Sequence, residues 1–340
     1  PRGIVDHGAP RTEISTQFSN EVVRALNDVA REGRPKAEHK PLFSDVAHNA
    51  AVLKHAADSI DEPLFFIAFD FAKFFHQMFY SARELWKMGS LMPTRASGGG
   101  AAPELLAFVE HVMAMGMTPS SEIAQRFANA LMQSFCRRLD KAEASADFPR
   151  SQAETAWRNA WSELSDDQYG TQARLFDANM YTDDPAMCIV GVQRTLLAIQ
   201  VWHQMVGEAG LMAAKVSKWQ IGAGGVWLGI NIYPALGLMW VPKEKTLEAV
   251  KAIDETVSGR LQAAEYRRLV GFLEHVAGVV NLPREMLDYL HRPMRPGGEV
   301  ERDPSGPLEA DGKRDGFLRK WRAMLINSSG ASLPRAVPVV

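Results

Sequence analysis

Apolar residues follow two rhythms along this chain, and the places where the rhythm changes mark its elements. Between Asp45 and Ser59, Val46, Ala50, Leu53 and Ala57 recur at three- and four-residue steps, which predicts a helix. Glu62-Pro63 closes it, because the residue before a proline is pushed out of the helical region. The next run, Leu64-Phe65-Phe66-Ile67-Ala68-Phe69, is apolar throughout and ends on Asp70, the pattern of a short buried strand. Lys73 to Trp86 continues as a helix. Leu105 to Met115 is apolar and fits helix or strand equally. At Pro119-Ser120-Ser121-Glu122, hydroxyls and an acid precede Ile123, Phe127, Ala130 and Leu131, which predicts a helix start and a helix running to about Leu139.

From 140 to 170 the chain turns charged and polar. Trp157 and Trp161 stand four apart and give it one packing face, so it reads as a peripheral helical insertion. In residues 173–192 two apolar runs flank Asp183-Asp184, which predicts a β-hairpin with the acids at its tip. Residues 195–210 read as helix, Val226 to Ile232 as a strand, and Gly237 to Pro242 as another short strand. Gly222-Ala223-Gly224-Gly225 lacks a complete dinucleotide-loop fingerprint and precedes a strand, so it reads as a hairpin turn. Helical patterns dominate from Glu244, including Tyr266 to Val279. Pro, Gly and charge after Pro293 predict a linker, and Phe317 to Ile326 a last helix. Strands and helices interleave without regular βαβ alternation, which predicts an α+β fold.

Composition narrows the class. Of 340 residues, 46% are hydrophobic and 23% charged, which excludes a disordered tail, a collagen or a coiled coil and leaves room for a large core. The net charge of −2 is not that of a strongly basic nucleic-acid binder, although a local basic groove is compatible with it. Cys136 and Cys188 supply no disulfide framework and no zinc spacing, so a reducing, intracellular compartment (cytoplasmic or nuclear) is expected. No apolar run reaches membrane-spanning length.

Two acidic positions change the picture: Asp70 at a strand end, and Asp183-Asp184 on a hairpin. Each alone reads as a solvated acid or an ordinary turn. Together they meet the needs of two-metal phosphoryl transfer, in which carboxylates from separate elements converge on hard cations.

Tyr181-Thr182-Asp183-Asp184 resembles the Tyr-x-Asp-Asp motif of reverse transcriptases. Further matches follow in order. Asp70 to Met78, with Phe75 and His76-Gln77, is similar to the motif around the first catalytic aspartate. Met115-Gly116-Met117-Thr118-Pro119 and Ala124-Gln125-Arg126-Phe127 resemble the next motif, with Ser120-Ser121 in place of Ala-Pro. Lys218 resembles the lysine motif, Trp227-Leu228-Gly229 the primer grip, and Arg268 to Leu273 with Ala277 the first thumb helix. Arg2-Gly3-Ile4-Val5-Asp6 resembles the end of the fingers hairpin. The likeness is to gypsy-type, retroviral and DIRS-like retroelements.

The resemblance implies a right-hand polymerase fold with an antiparallel palm sheet backed by helices. It divides the chain into partial fingers (1–62), palm (63–80 and 115–242, with the insertion at about 140–170), a connection (81–114), thumb (243–295), and a linker and tail (296–340). It implies RNA-directed DNA synthesis with two Mg2+ ions, or Mn2+ in their place, held by Asp70, Asp183 and Asp184. It places Phe75, Arg2, Gly116 and Lys218 at the nucleotide, Trp227, Leu228 and Gly229 at the primer end, and Gly271 and Ala277 along the duplex. The implied partners are an RNA or DNA template with its primer, deoxynucleoside triphosphates, and adjacent ribonuclease H or integrase domains. The competing reading is a catalytically inactive, retroelement-derived nucleic-acid-binding scaffold.

Overall fold

The structure, a computed structural model, describes residues 38, 40–79, 82, 89–93, 105–109, 111–113, 118–164, 174–280, 284–303, 305–326 and 335–336. Its first elements are α1 (Phe43–Ile60), β1 (Leu64–Ala68), β2 (Gly89–Pro93), β3 (Leu105–Val109), α2 (Thr118–Glu143) and α3 (Gln152–Leu164). Next come β4 (Phe176–Tyr181), β5 (Asp184–Val190), α4 (Val192–Glu208), β6 (Gln220–Gly222), β7 (Gly225–Trp227), β8 (Ile230–Tyr233) and β9 (Leu238–Trp240). The chain then forms α5 (Lys243–Val257), α6 (Ala263–Val280), α7 (Arg284–Leu290), α8 (Glu299–Arg302), α9 (Gly312–Leu325) and β10 (Arg335–Ala336). The fold is α+β with antiparallel sheets.

The sheet β4-β5-β1-β6 explains the unbroken apolar run at 64–69. Period-2 alternation sends Leu64, Phe66 and Ala68 of β1, with Ala186, Cys188 and Val190 of β5, into one core shared with α1. Ile67 and Phe69, with Met187 and Ile189, enter a second core against α2 and α4. Both faces of β1 are covered, so this strand has no polar position to spare. The α1 stripe read from the sequence, Val46, Ala50, Leu53 and Ala57, is buried throughout. Burying one large side chain such as Leu53 is worth about 1.5–3 kcal/mol.

A second sheet, β10-β9-β8-β7, adjoins the first. The stretch 226–232 is not one strand: Leu228 and Gly229 adopt φ of 49° and 75° and fold it into the tight hairpin β7–β8. Gly222 to Gly225 is not a hairpin turn either, since β6 pairs with β1 while β7 pairs with β8. It carries the chain between sheets so closely that a Cβ on Gly224 would collide with the Tyr233 ring and the Ile232 carbonyl.

Other expectations change as well. The helix expected from Lys73 to Trp86 reduces, over its described part, to a 3-10 turn at Phe74–Gln77, entered through Lys73 at φ 55°. Residues 105–109 settle as strand β3, paired with β2. Helix α2 runs past Leu139 to Glu143. The span after Pro293 is packed rather than a linker: Val300, Leu308, Leu318, Trp321 and Leu325 are buried in the core shared with α5 and α6. Asp311 caps α9, accepting from the backbone N–H groups of Lys313 and Arg314 at 2.9 and 3.0 Å.

Over its described part, to Leu164, the 140–170 span holds the end of α2 and the helix α3, and it docks through buried charge. Arg194, 2% exposed, donates to Glu143 at 2.9 Å and to Glu154 at 2.7 Å. Arg158 donates to the same two carboxylates at 3.1 and 2.8 Å. Both cysteines are free thiols. Among the described residues no helix is long and apolar enough to cross a membrane.

Candidate active site

In the antiparallel pairing of β1 with β5, Ala68 faces Ala186, and the Phe69 N–H donates to the Pro185 carbonyl at 3.2 Å. Two residues further, the same register sets Asp70 beside Asp184. Strands β4 and β5 meet in a two-residue turn, Thr182-Asp183, with Tyr181 opposite Asp184 and Thr182 at φ 55°. The hairpin expected from the sequence is present, and its acids share one end of the sheet with Asp70.

The three carboxylates feel one another. Desolvation raises the Asp183 pKa, and the charge of Asp70 raises it further. Asp184 is pushed up to about 6, by desolvation first and then by Asp183 and Asp70. Lys218 answers part of this charge: its Nζ stands 2.5 Å from Asp70 Oδ2, and that hydrogen bond raises the lysine's own pKa.

Gln125 and Gln77, to which the sequence reading gave no role, hold this corner in place together with Trp227. Gln125, fully buried on α2, donates to the Met180 carbonyl at 2.8 Å and accepts from the Thr182 N–H at 2.9 Å. One amide thereby grips the chain where β4 enters the turn. Gln77 does the same for the Asp70 segment, donating to the carbonyls of Ala72 at 2.6 Å and Met212 at 3.0 Å and accepting from the Met212 N–H at 2.6 Å. The Ala214 N–H donates to the Asp70 carbonyl at 2.8 Å. Trp227, 2% exposed, donates its indole N–H to the Asp184 carbonyl at 2.9 Å. The sequence carried little signal for either, since Gln77 follows His76 and Gln125 precedes Arg126; only burial shows that the Gln125 amide needs partners on both ends.

The other expected site residues fall out unevenly. Phe75 is half-buried beside the core residue Phe74, their rings edge to face at 6.2 Å. Leu228 and Gly229 form the β7–β8 turn, next to Trp227. Gly271 is exposed on α6, and a Cβ there would meet nothing within 4 Å, so no neighbouring helix accounts for its smallness. Ala277 is partly buried against the core. Arg2 and Gly116 lie outside the described residues.

Among the described residues, no three or more His, Cys, Asp or Glu side chains are arranged to hold a metal ion. Asp70 is turned to Lys218 instead. The donor chemistry still suits magnesium, a hard cation that takes oxygen ligands and needs only one or two protein carboxylates.

No family model matches the chain. No curated protein matches it. Among solved structures it is similar to a foamy viral protease-reverse transcriptase in complex with an RNA/DNA hybrid, with a TM-score of 0.47 and 11% identity over 88% of this chain. The match covers 30% of that chain, so the present chain spans less than a third of that neighbour's length.

Proposed function

We propose that this chain is the polymerase part of a retroelement reverse transcriptase: a template-directed nucleotidyltransferase that extends a primer with deoxynucleotides on RNA or DNA. The observation that carries the reading is the convergence of Asp70 with Asp183-Asp184 at one end of adjoining antiparallel strands, where burial first, and then the charges of Asp183 and Asp70, lift Asp184 to about 6. The ordered motifs around these acids support the same reading.

Asp70 and Asp183 would hold magnesium, with Asp184 beside them. Bound there, the ions supply positive charge to the attacking 3′-hydroxyl and the leaving pyrophosphate. The chain's own groups do the rest by positioning. Lys218, exposed and already at Asp70, is placed to donate to the pyrophosphate as it departs. Phe75 presents a ring against the nucleotide sugar, where a 2′-hydroxyl would have no room. Trp227, Leu228 and Gly229 seat the primer terminus. Gly271 leaves space for the duplex on α6, with Ala277 on the same helix. Arg2 and Gly116 are assigned to the nucleotide by resemblance.

Primer extension on poly-rA/oligo-dT with MgCl2 tests the proposal. Wild type should add deoxynucleotides, while Asp70→Asn and Asp183→Asn, folded, should not. Absence of extension by the wild type overturns the enzyme; retained duplex binding in that case leaves the scaffold. Near-normal extension by either folded variant overturns the site.

A further inference from the structure

The turn Leu228-Gly229 is an outlier that needs an explanation. Leucine rarely adopts a positive φ, yet Leu228 sits at 49°. Gly229 follows at 75°, and any Cβ there would run into the ammonium of Lys245. A backbone held in a sparsely populated conformation persists only where its surroundings fix it, and such places cluster at functional sites.

What fixes this one comes from α6. His275 Nε2 stands 2.8 Å from the Leu228 carbonyl oxygen. A carbonyl only accepts, so Nε2 carries the proton and donates. The His275 ring meets Phe43 edge to face at 5.3 Å, and Phe43 meets Trp227 edge to face at 5.7 Å. Trp227 in turn donates to the Asp184 carbonyl at 2.9 Å. An unbroken run of contacts thus joins α6 to the β7–β8 turn and the turn to the acidic hairpin. His275 also lies four residues from Gly271 and seven from Arg268, all three exposed, so the face of α6 that carries the open glycine carries the latch.

We propose that His275 is a positioning residue: its hydrogen bond latches α6 to the Leu228-Gly229 turn and, with Phe43 and Trp227, holds that turn at a fixed place relative to Asp184. The functional half of this inference rests on the turn being the seat of the primer end; the latch itself does not.

Three variants separate the possibilities. His275→Ala removes ring and donor, His275→Phe keeps the ring against Phe43 without the donor, and His275→Gln restores a donor without the ring. Hydrogen exchange by mass spectrometry over residues 226–231 reads the latch without any chemistry. It should be about five- to tenfold faster in His275→Ala and His275→Phe, the loss expected for one neutral hydrogen bond, and return toward wild type in His275→Gln. Steady-state primer extension reads the consequence: kcat should fall and KM for the primer–template rise in the first two variants, with KM for the nucleotide unchanged and recovery in His275→Gln. Unchanged exchange in His275→Phe overturns the latch. Altered exchange with an unchanged primer–template KM and kcat overturns its role in positioning. If the wild type itself extends nothing while exchange responds as stated, the polymerase reading fails and the latch stands.

Discussion

At the scale of single residues, the acidic corner carries charge that the fold neutralises only in part, through Lys218. Asp184 has a folded pKa of about 6, above the ordinary 3.8, because burial and two neighbouring carboxylates disfavour its ionised form. A carboxyl raised in this way binds its proton more tightly folded than unfolded. Its contribution therefore favours the fold below the unfolded value and is lost as pH rises through about 6. Asp184→Asn cannot ionise, so it should melt higher than wild type near pH 8, by about 2 °C or more, and show no gain near pH 4. Thermal melts at the two pH values check this; a lower melting temperature at the high pH would mean that the carboxylate is net favourable. The adjacent phenylalanines make a second pair of opposites. Phe74 is 2% exposed, and Phe74→Ala should cost about 3–5 kcal/mol of stability with the ribonucleotide-to-deoxynucleotide ratio unchanged. Phe75 is half-buried, and Phe75→Ala should cost less stability but raise ribonucleotide incorporation relative to deoxynucleotide. Incorporation ratios for both variants decide which ring is the gate.

At the scale of elements, the Arg194 network meets β5 at its Val190 end, where the Arg194 guanidinium donates to the Val190 carbonyl at 2.5 Å. Asp184 begins the same strand, and six residue steps of extended chain put about 20 Å between the two ends. Glu154→Gln should therefore destabilise the protein by about 3 kcal/mol, because Arg194 stays buried with one carboxylate fewer, while kcat per folded molecule stays constant. A denaturant melt with active-site titration tests both halves; a specific loss of kcat would tie α3 to the chemistry. The same contrast explains what the sequence could disclose. Helix α1, strand β1 and the β4–β5 hairpin are written in local periodicity, so their apolar positions and the acids at the strand ends could be read directly. The segment after Asp70 could not, because its shape answers to Met212, 135 residues away, through Gln77. Gln125 and Thr182 are 57 residues apart, and His275 and Leu228 are 47 apart. No pattern within a window of residues encodes such pairs. Nor does any propensity place a leucine at positive φ, so the break in 226–232 was hidden. The composition after Pro293 read as a linker because Val300 and Leu308, both buried, stand isolated among Pro, Gly and charge, whereas the helix expected at Phe317 to Ile326 is present as α9 and starts earlier, at Gly312.

At the scale of the whole molecule, a net charge of −2 has to be reconciled with the polyanionic partner proposed above. Global attraction cannot supply the affinity, so it must come from cations set locally along the proposed path of the primer–template. Lys218 at Asp70, Lys245 at the Leu228-Gly229 turn and Arg268 on the outer face of α6 are exposed and follow the line from acidic hairpin to turn to helix. Binding of a primer–template duplex should then weaken steeply with salt and vary little with sequence, and Arg268→Ala should reduce the salt slope by about one counterion. Gly271, on the same face as Arg268, separates duplex recognition from fold stability. A methyl group there meets no protein atom within 4 Å and replaces the poorest non-proline helix former with the best. Gly271→Ala should therefore stabilise α6 by up to about 1 kcal/mol. If α6 approaches a duplex at this point, the same methyl should weaken duplex affinity several-fold, with the salt slope unchanged because no charge is lost. Fluorescence anisotropy across a salt series, paired with thermal melts, measures both. A variant that is more stable and binds as tightly as wild type would show that the open face of α6 at Gly271 does not lie against nucleic acid.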